Sequence, residues 1–326
     1  MTTEQTIIKS DIDDRYFSYH GSGAELFKIF FVNALLTAIT FGIYFPWAKA
    51  KVLSYHLSTL EFKGNRFAFH GTGKEMFKGF IKAYLIFIVL FGSILVGQLM
   101  LQSGNTFGFI LILISAFIQI AIIPLAIVGS ARYRMSRTTW RGIHFKYTGT
   151  VKRMAWVLVK GLFFTMITFG IYGAWLMVDI VEELLSNSKI GDIQFKFTGK
   201  GGDLFWTRLA GGFLTAITFG IYVFKYQSNL RHFWLNNARM LQGEYKGTLQ
   251  CETTGSGMFK MIFLNALTIV FTLGLGIPWA LTRQLKYFTD TTLVKGKIDY
   301  DNIQQDEVDD ADSTGEGIFD MFNLEF

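Results

Sequence analysis

The sequence predicts a mainly α-helical, polytopic membrane protein of about five internal repeats, with short β-hairpins at the repeat junctions. Three observations carry that expectation. The pentapeptide Thr-Phe-Gly-Ile-Tyr occurs three times, at Thr40–Tyr44, Thr168–Tyr172 and Thr218–Tyr222, each time closing an apolar run. A weaker copy at Thr272-Leu-Gly274 leads into Ile277-Pro278-Trp279, echoing Phe45-Pro46-Trp47. Of the 326 residues, 51% are hydrophobic and only 17% are charged, against about a quarter in soluble domains. Finally, Phe17-Ser-Tyr-His-Gly-Ser-Gly-Ala-Glu-Leu-Phe27 is matched by Phe67-Ala-Phe-His-Gly-Thr-Gly-Lys-Glu-Met-Phe77 and by Phe195-Lys-Phe-Thr-Gly-Lys-Gly-Gly-Asp-Leu-Phe205. A sequence period of this kind is the mark of a repeat architecture.

The chain divides accordingly. Residues 1–16 form a polar N-terminal segment with no evident cleavable signal. Residues 17–298 form a membrane domain of five repeats, at 17–66, 67–144, 145–194, 195–248 and 249–298. Each begins with a short alternating strand, passes a Gly-x-Gly turn, enters an apolar helix and continues through an amphipathic basic stretch. The second repeat is 28 residues longer, through an apolar insert between Gly92 and Pro124. Residues 299–326 are acidic and have no Lys or Arg, a composition that favours a solvated, disordered tail. The apolar pairs Ile318-Phe319 and Met321-Phe322 give that tail an alternative role as a docking segment for a protein partner.

Apolar segments lie at about 27–48, 76–101, 107–128, 155–178, 205–224 and 259–281. A span needs roughly 20 apolar residues, so six crossings is the count the hydropathy favours. Lys28, Lys78, Lys82, Lys160, Arg208 and Lys260 stand near segment ends, where long side chains reach the interface. Trp47, Trp156, Trp175, Trp206 and Trp279 suit an aromatic belt. Six crossings put 20 Lys and Arg on the side of residues 49–82, 129–160 and 225–260, and 11 on the other. The positive-inside rule would then place both termini outside the cytoplasm. Basic residues at every junction speak for a second topology, one helical hairpin per repeat. The strands would then share one cytoplasmic face and the Gly-Ile-Tyr turns would lie in or beyond the bilayer.

Few residues invite chemistry. Gly42, Gly170, Gly220 and Gly274 are positions of close helix packing or bending, with Thr40, Thr168 and Thr218 bonding to backbone or a neighbouring helix. The same glycines could instead be broken-helix elements along a solute path. Asn33 and Asn265 stand at equivalent places in the first and last repeats, as interhelical glue or as ligands at the midplane. No carboxylate lies mid-span. Glu25, Glu75 and Asp203 precede their helices, where the helix dipole favours them, and Asp179, Glu182 and Glu183 follow the fourth span. The five His residues show no metal spacing, and the single Cys251 excludes an internal disulfide framework. The Gly-x-Gly turns lack the Walker Lys-Ser/Thr pair, and no nucleophile elbow or zinc-protease motif is present. Neither enzymatic activity nor a cofactor or metal is expected. Scattered basic residues give no nucleic-acid footprint, so the lipid bilayer is the expected partner. Oligomeric state is left open.

The first repeat, from Phe17-Ser-Tyr-His-Gly-Ser-Gly through Val32-Asn-Ala-Leu-Leu-Thr-Ala-Ile-Thr-Phe-Gly-Ile-Tyr-Phe-Pro-Trp-Ala48 and Phe62-Lys-Gly-Asn-Arg-Phe67, resembles the YjgN family. So does Thr289-Asp-Thr-Thr-Leu-Val-Lys-Gly-Lys-Ile-Asp299. These are bacterial multi-pass inner-membrane proteins classed as a domain of unknown function. The resemblance covers essentially the whole chain, although its third and fourth repeats are more compact than the resemblance implies. It implies an inner-membrane location and brings no catalytic or ligand residues. The function expected is that of a non-enzymatic membrane or envelope-associated factor, with a channel or transporter for a small solute as the alternative.

Overall fold

The computed structural model describes residues 16–305 and 313–321. Strand β1 (Phe17–Tyr19) leads into α1 (Gly23–Ile39), and α2 (Phe45–Thr59) returns to β2 (Leu60–Phe62). The same order of parts follows in β3 (Asn65–Phe69), α3 (Gly73–Gln102), α4 (Phe107–Ser136) and β4 (Thr138–Trp140). Next come β5 (Ile143–Tyr147), α5 (Val151–Ile167), α6 (Gly173–Ser186) and β6 (Ser188–Ile190), then β7 (Ile193–Phe197), α7 (Gly201–Ile217), α8 (Val223–Asn236) and β8 (Ala238–Gln242). The last unit is β9 (Tyr245–Cys251), α9 (Gly255–Phe271), α10 (Ile277–Asp290) and β10 (Thr292–Gly296), and α11 (Thr314–Met321) closes the described chain.

All ten strands join one antiparallel sheet in chain order, β1 to β10. A lone hairpin of three to seven residues a side is marginal in water, and pairing each with the next leaves only the outer edges at β1 and β10. The register is regular. Phe17, Phe67, Phe145, Phe195 and Leu249 stand opposite Phe62, Trp140, Ile190, Met240 and Val294 respectively. The second set converges in one buried cluster, so the sheet curls toward a barrel around its own inner face. The chain after β10 fills that interior: Ile298 and Tyr300 are buried in the cluster, and Trp140 Nε1 donates to the Phe62 and Asn65 carbonyls.

Helices α1 to α10 form a closed ring. Each packs on its predecessor and successor, and α10 packs on α1. At three of the seams the second glycine of the Gly-x-Gly turn, Gly23, Gly73 or Gly201, lies against a tryptophan of the neighbouring hairpin. A Cβ on Gly73 or Gly201 would lie 2.3 Å from Cδ1 of Trp47 or Trp175.

Two sequence expectations are corrected here. Four of the six apolar segments, at 27–48, 155–178, 205–224 and 259–281, are not single helices. Each bends back at its Thr-Phe-Gly or Thr-Leu-Gly turn into a hairpin of two shorter helices, so a count of six straight crossings does not hold. Among the described residues only α3 and α4 are long and apolar enough to cross a bilayer, with 11% and 22% of their most apolar windows buried. The amphipathic stretches after the turns are the returning helices. Finally, the tail, expected to be disordered, is folded over its described residues. Its Ile318 and Phe319 are buried, as the docking alternative requires, but against this same chain. The neighbouring Phe322 lies outside the described residues.

Candidate functional site

The Thr-Phe-Gly-Ile-Tyr box is a helix stop and a helix start in five residues. At the first copy the Gly42 amide bonds to the Thr37 carbonyl and the Phe41 amide to that of Ala38, the pair of bonds that closes a helix C-terminus. This needs left-handed backbone, and Phe41 has φ 50° and Gly42 φ 89°. Thr40 Oγ1 donates to the Leu36 carbonyl and accepts from the Tyr44 amide 3.0 Å away, so its hydroxyl caps both helices. Thr168 and Thr218 do the same with Tyr172 and Tyr222, and Thr272 with Gly276. Gly170, Gly220 and Gly274 repeat the φ of Gly42, between 90° and 93°. The turn lifts its second residue fully clear of the protein: Phe41, Phe169, Phe219 and Leu273 are 97%, 98%, 97% and 94% exposed.

Asn33 and Asn265 are buried within their own hairpins. Asn33 Nδ2 donates to the Ala48 carbonyl at 3.2 Å, tying α1 to α2, while its Oδ1 has no partner among the described residues. Asn265 Oδ1 accepts from Arg283 at 2.8 Å, tying α9 to α10. The structure does not bring the two amides, or the four turn glycines, to one common centre.

The densest polar site is one that sequence reasoning did not single out. Helix α11 lies along α3 and α4, and its Glu316 is 1% exposed. The Glu316 carboxylate meets Lys49 Nζ at 2.6 Å, accepts from Arg134 Nε at 2.9 Å on both oxygens, and accepts from the Ser130 hydroxyl. Burial alone would raise this carboxyl, but the Lys49 and Arg134 charges, with their hydrogen bonds, hold it below its ordinary value. Close approach depends on four glycines. A Cβ on Gly315 would lie 2.3 Å from Gly129 Cα, and one on Gly317 would lie 2.5 Å from the Gly79 carbonyl. The Arg134 guanidinium also stands 5.0 Å over the Phe319 ring. The signal that could have exposed this site is the Gly315-Glu316-Gly317 triplet beside an apolar pair, in a tail otherwise read by its charge alone.

A second polar concavity, of about 710 Å³, lies between α5 and α6. Arg153 and Lys160 line it from α5, and Asp179, Glu182 and Glu183 from α6. Arg153 Nε lies 3.4 Å from Glu183. The structure therefore gathers the three carboxylates noted in the sequence into one groove with two cations. Among the described residues no group of three His, Cys, Asp or Glu could hold a metal ion.

A family model described as a bacterial protein of unknown function, DUF898, matches residues 14–231 and again 214–321. The chain belongs to this family. Relatives named inner membrane protein YjgN bear out the resemblance. The one from Escherichia coli O157:H7 is 31% identical over 156 residues, 47% of this chain and 36% of the relative. The Salmonella typhimurium protein is 28% identical over 153 residues, again 47% and 36%, and that of Escherichia coli K12 is 44% identical over 62, or 19% and 16%. The matched stretches thus span little more than a third of these relatives at most. No solved structure matches the chain. Membership in this family and the two long, lipid-compatible helices make the chain a membrane protein.

Proposed function

We propose that this is a multi-pass inner-membrane protein without enzymatic activity, built from five internal repeats. Its helical hairpins enter the bilayer from one side, and its curled sheet stays in the cytoplasm. One observation carries this. No Lys, Arg, Asp or Glu occurs in residues 29–48, 83–131, 161–178, 209–224 or 261–282, the apical half of every hairpin. All the basic residues therefore fall toward the sheet, as the positive-inside rule requires of a cytoplasmic face. A fully exposed Phe forfeits roughly 1.5–3 kcal/mol in water, a loss that lipid around Phe41, Phe169 and Phe219 removes.

Length separates the hairpins. The uncharged part of α1, residues 29–39, rises only about 16 Å and that of α5, residues 161–167, about 10 Å, at most roughly half of the ~30 Å hydrocarbon core. Helices α3 and α4, each of 30 residues, rise about 45 Å and reach the far side. The proposed topology is two crossings by α3 and α4 with four re-entrant hairpins around them. Inner-membrane location follows the name carried by the relatives. The groups that would have lined a solute path are occupied instead: the turn threonines cap helices, and Asn33 and Asn265 tie hairpins. This favours a scaffold or envelope-associated role over transport.

The test is cysteine accessibility in a Cys251→Ser background. Asn65→Cys and Thr148→Cys should label only from the cytoplasm, Asn105→Cys only from the opposite side, and Phe169→Cys from neither. Labelling of Phe169→Cys from the far side would refute the re-entrant hairpins. Saturable solute uptake by proteoliposomes of the purified protein would overturn the non-transport role.

A further inference from the structure

The α5–α6 groove is the counterpart of the groove that α11 fills. Counted from the helix caps, Arg153 stands where Glu75 stands in the α3–α4 pair, Lys160 where Lys82 stands, and Asp179 where Gly129 stands. Against the α3–α4 pair the buried Glu316 carboxylate is held by Arg134 of α4 and by Lys49 of the neighbouring α2. In the α5–α6 pair the groove is open and its charge is richer.

The charges are sorted by helix. Arg153 and Lys160 are seven residues apart on α5, about two turns, so one anionic group can lie between their long side chains. Asp179 and Glu182 are three residues apart on α6 and share a face, a site for a cation. With Glu183 already paired to Arg153, the lining has three carboxylates against two cations, so a ligand of net negative charge is disfavoured. All five sit on the sheet side of the uncharged segment 161–178, with Lys160 and Asp179 directly adjoining it, where headgroups lie if the hairpins insert as proposed. Trp156 of the lining is 66% exposed, and farther along α5 Val159 and Phe163 are each 59% exposed.

We propose that this groove binds the headgroup of a zwitterionic phospholipid bearing a primary ammonium, of the phosphoethanolamine type. The phosphate lies between Arg153 and Lys160, the ammonium donates to Asp179 and Glu182, and the acyl chains lie along Trp156 and Phe163. A primary ammonium is selected over a quaternary one because only the former can donate hydrogen bonds to two carboxylates. The inference rests on the membrane topology above, which the labelling experiment tests separately.

The experiment is native mass spectrometry of the full-length protein, delipidated in detergent and titrated with phosphatidylethanolamine, phosphatidylcholine, phosphatidylglycerol and glycerophosphoethanolamine. Phosphatidylethanolamine should bind at least about tenfold more tightly than either other lipid, the scale of one charge-assisted hydrogen bond. R153Q/K160Q should weaken all three lipids by a similar factor. D179N/E182Q should abolish the preference for phosphatidylethanolamine over phosphatidylcholine while leaving the latter bound. Unaltered circular dichroism and melting of both variants exclude unfolding, since these side chains line an open groove. Equal binding of the three lipids, or a preference that survives both variants, overturns the proposal. Glycerophosphoethanolamine binding as tightly as the lipid overturns the lipid as its source.

Discussion

The indole of Trp279, at the start of α10, lies against the backbone of Gly23, at the start of α1, so closely that a Cβ on Gly23 would come within 2.4 Å of Trp279 Cδ1. This contact joins the last hairpin to the first, and the Phe27 and Trp279 rings stand 5.3 Å apart beside it. Gly23→Val should therefore destabilise the protein by about 1–3 kcal/mol, the usual cost of overpacking a tight contact. The check is thermal unfolding in detergent. Gly212→Val, at a helical position with open space around its Cβ, is the control and should cost markedly less.

Glu316 between Lys49 and Arg134 makes tail docking depend on charge. Glu316→Gln leaves two cations around a neutral amide. Removing one partner of a buried pair costs roughly 3–5 kcal/mol, more than the contacts of one eight-residue helix are expected to withstand. Hydrogen exchange over residues 314–321 should accelerate strongly in this variant, with exchange in the β-sheet unchanged. Full retention of protection would show that glycine packing alone holds the helix.

The same pair sets a pH window. Because the Glu316 carboxyl is held below its ordinary value of 4.5, its contribution to docking is fully present above that value. It is lost as the pH falls through the docked-state value. Protection of 314–321 should be flat from neutral pH down to about 5 and decline below 4.5, and Glu316→Gln should remove that dependence.

The two buried amides should respond differently to replacement. Asn265→Leu takes the Oδ1 acceptor from Arg283 Nη1 and should cost about 1.5–3 kcal/mol, the scale of a hydrogen bond to a charged group. Asn33→Leu removes one 3.2 Å bond together with an unpartnered buried oxygen, and should be near neutral. Unfolding of the two variants side by side gives the comparison, and equal losses would contradict the assignment.

At the hairpin tip, Gly170 has φ 93° and nothing within 4 Å of where a Cβ would sit, so any penalty is backbone strain rather than crowding. Gly170→Ala should lower stability by about 1 kcal/mol, while Gly92→Ala, inside α3 with equally open space, should be neutral or stabilising. Melting temperatures of the two variants test this.

The sequence by itself determined the composition of each unit. Phe17 and its four counterparts marked the strands, the Gly-x-Gly turns marked the helix starts, and the pentapeptide marked where apolar runs end. Those signals are local, set by backbone sterics and hydrophobic period, and one chain segment contains all of each. Hydropathy could not tell a straight span from a bent one, because Phe41-Gly42 is as apolar as helix and differs only in φ. Tertiary structure alone decided that the five strand pairs share one sheet, that Trp279 closes the ring on Gly23, and that an acidic tail docks. Each of these brings together residues far apart in the chain. The tail shows the reason most plainly: Glu316 reads as a solvated charge until Lys49 and Arg134, from two different hairpins, are folded around it.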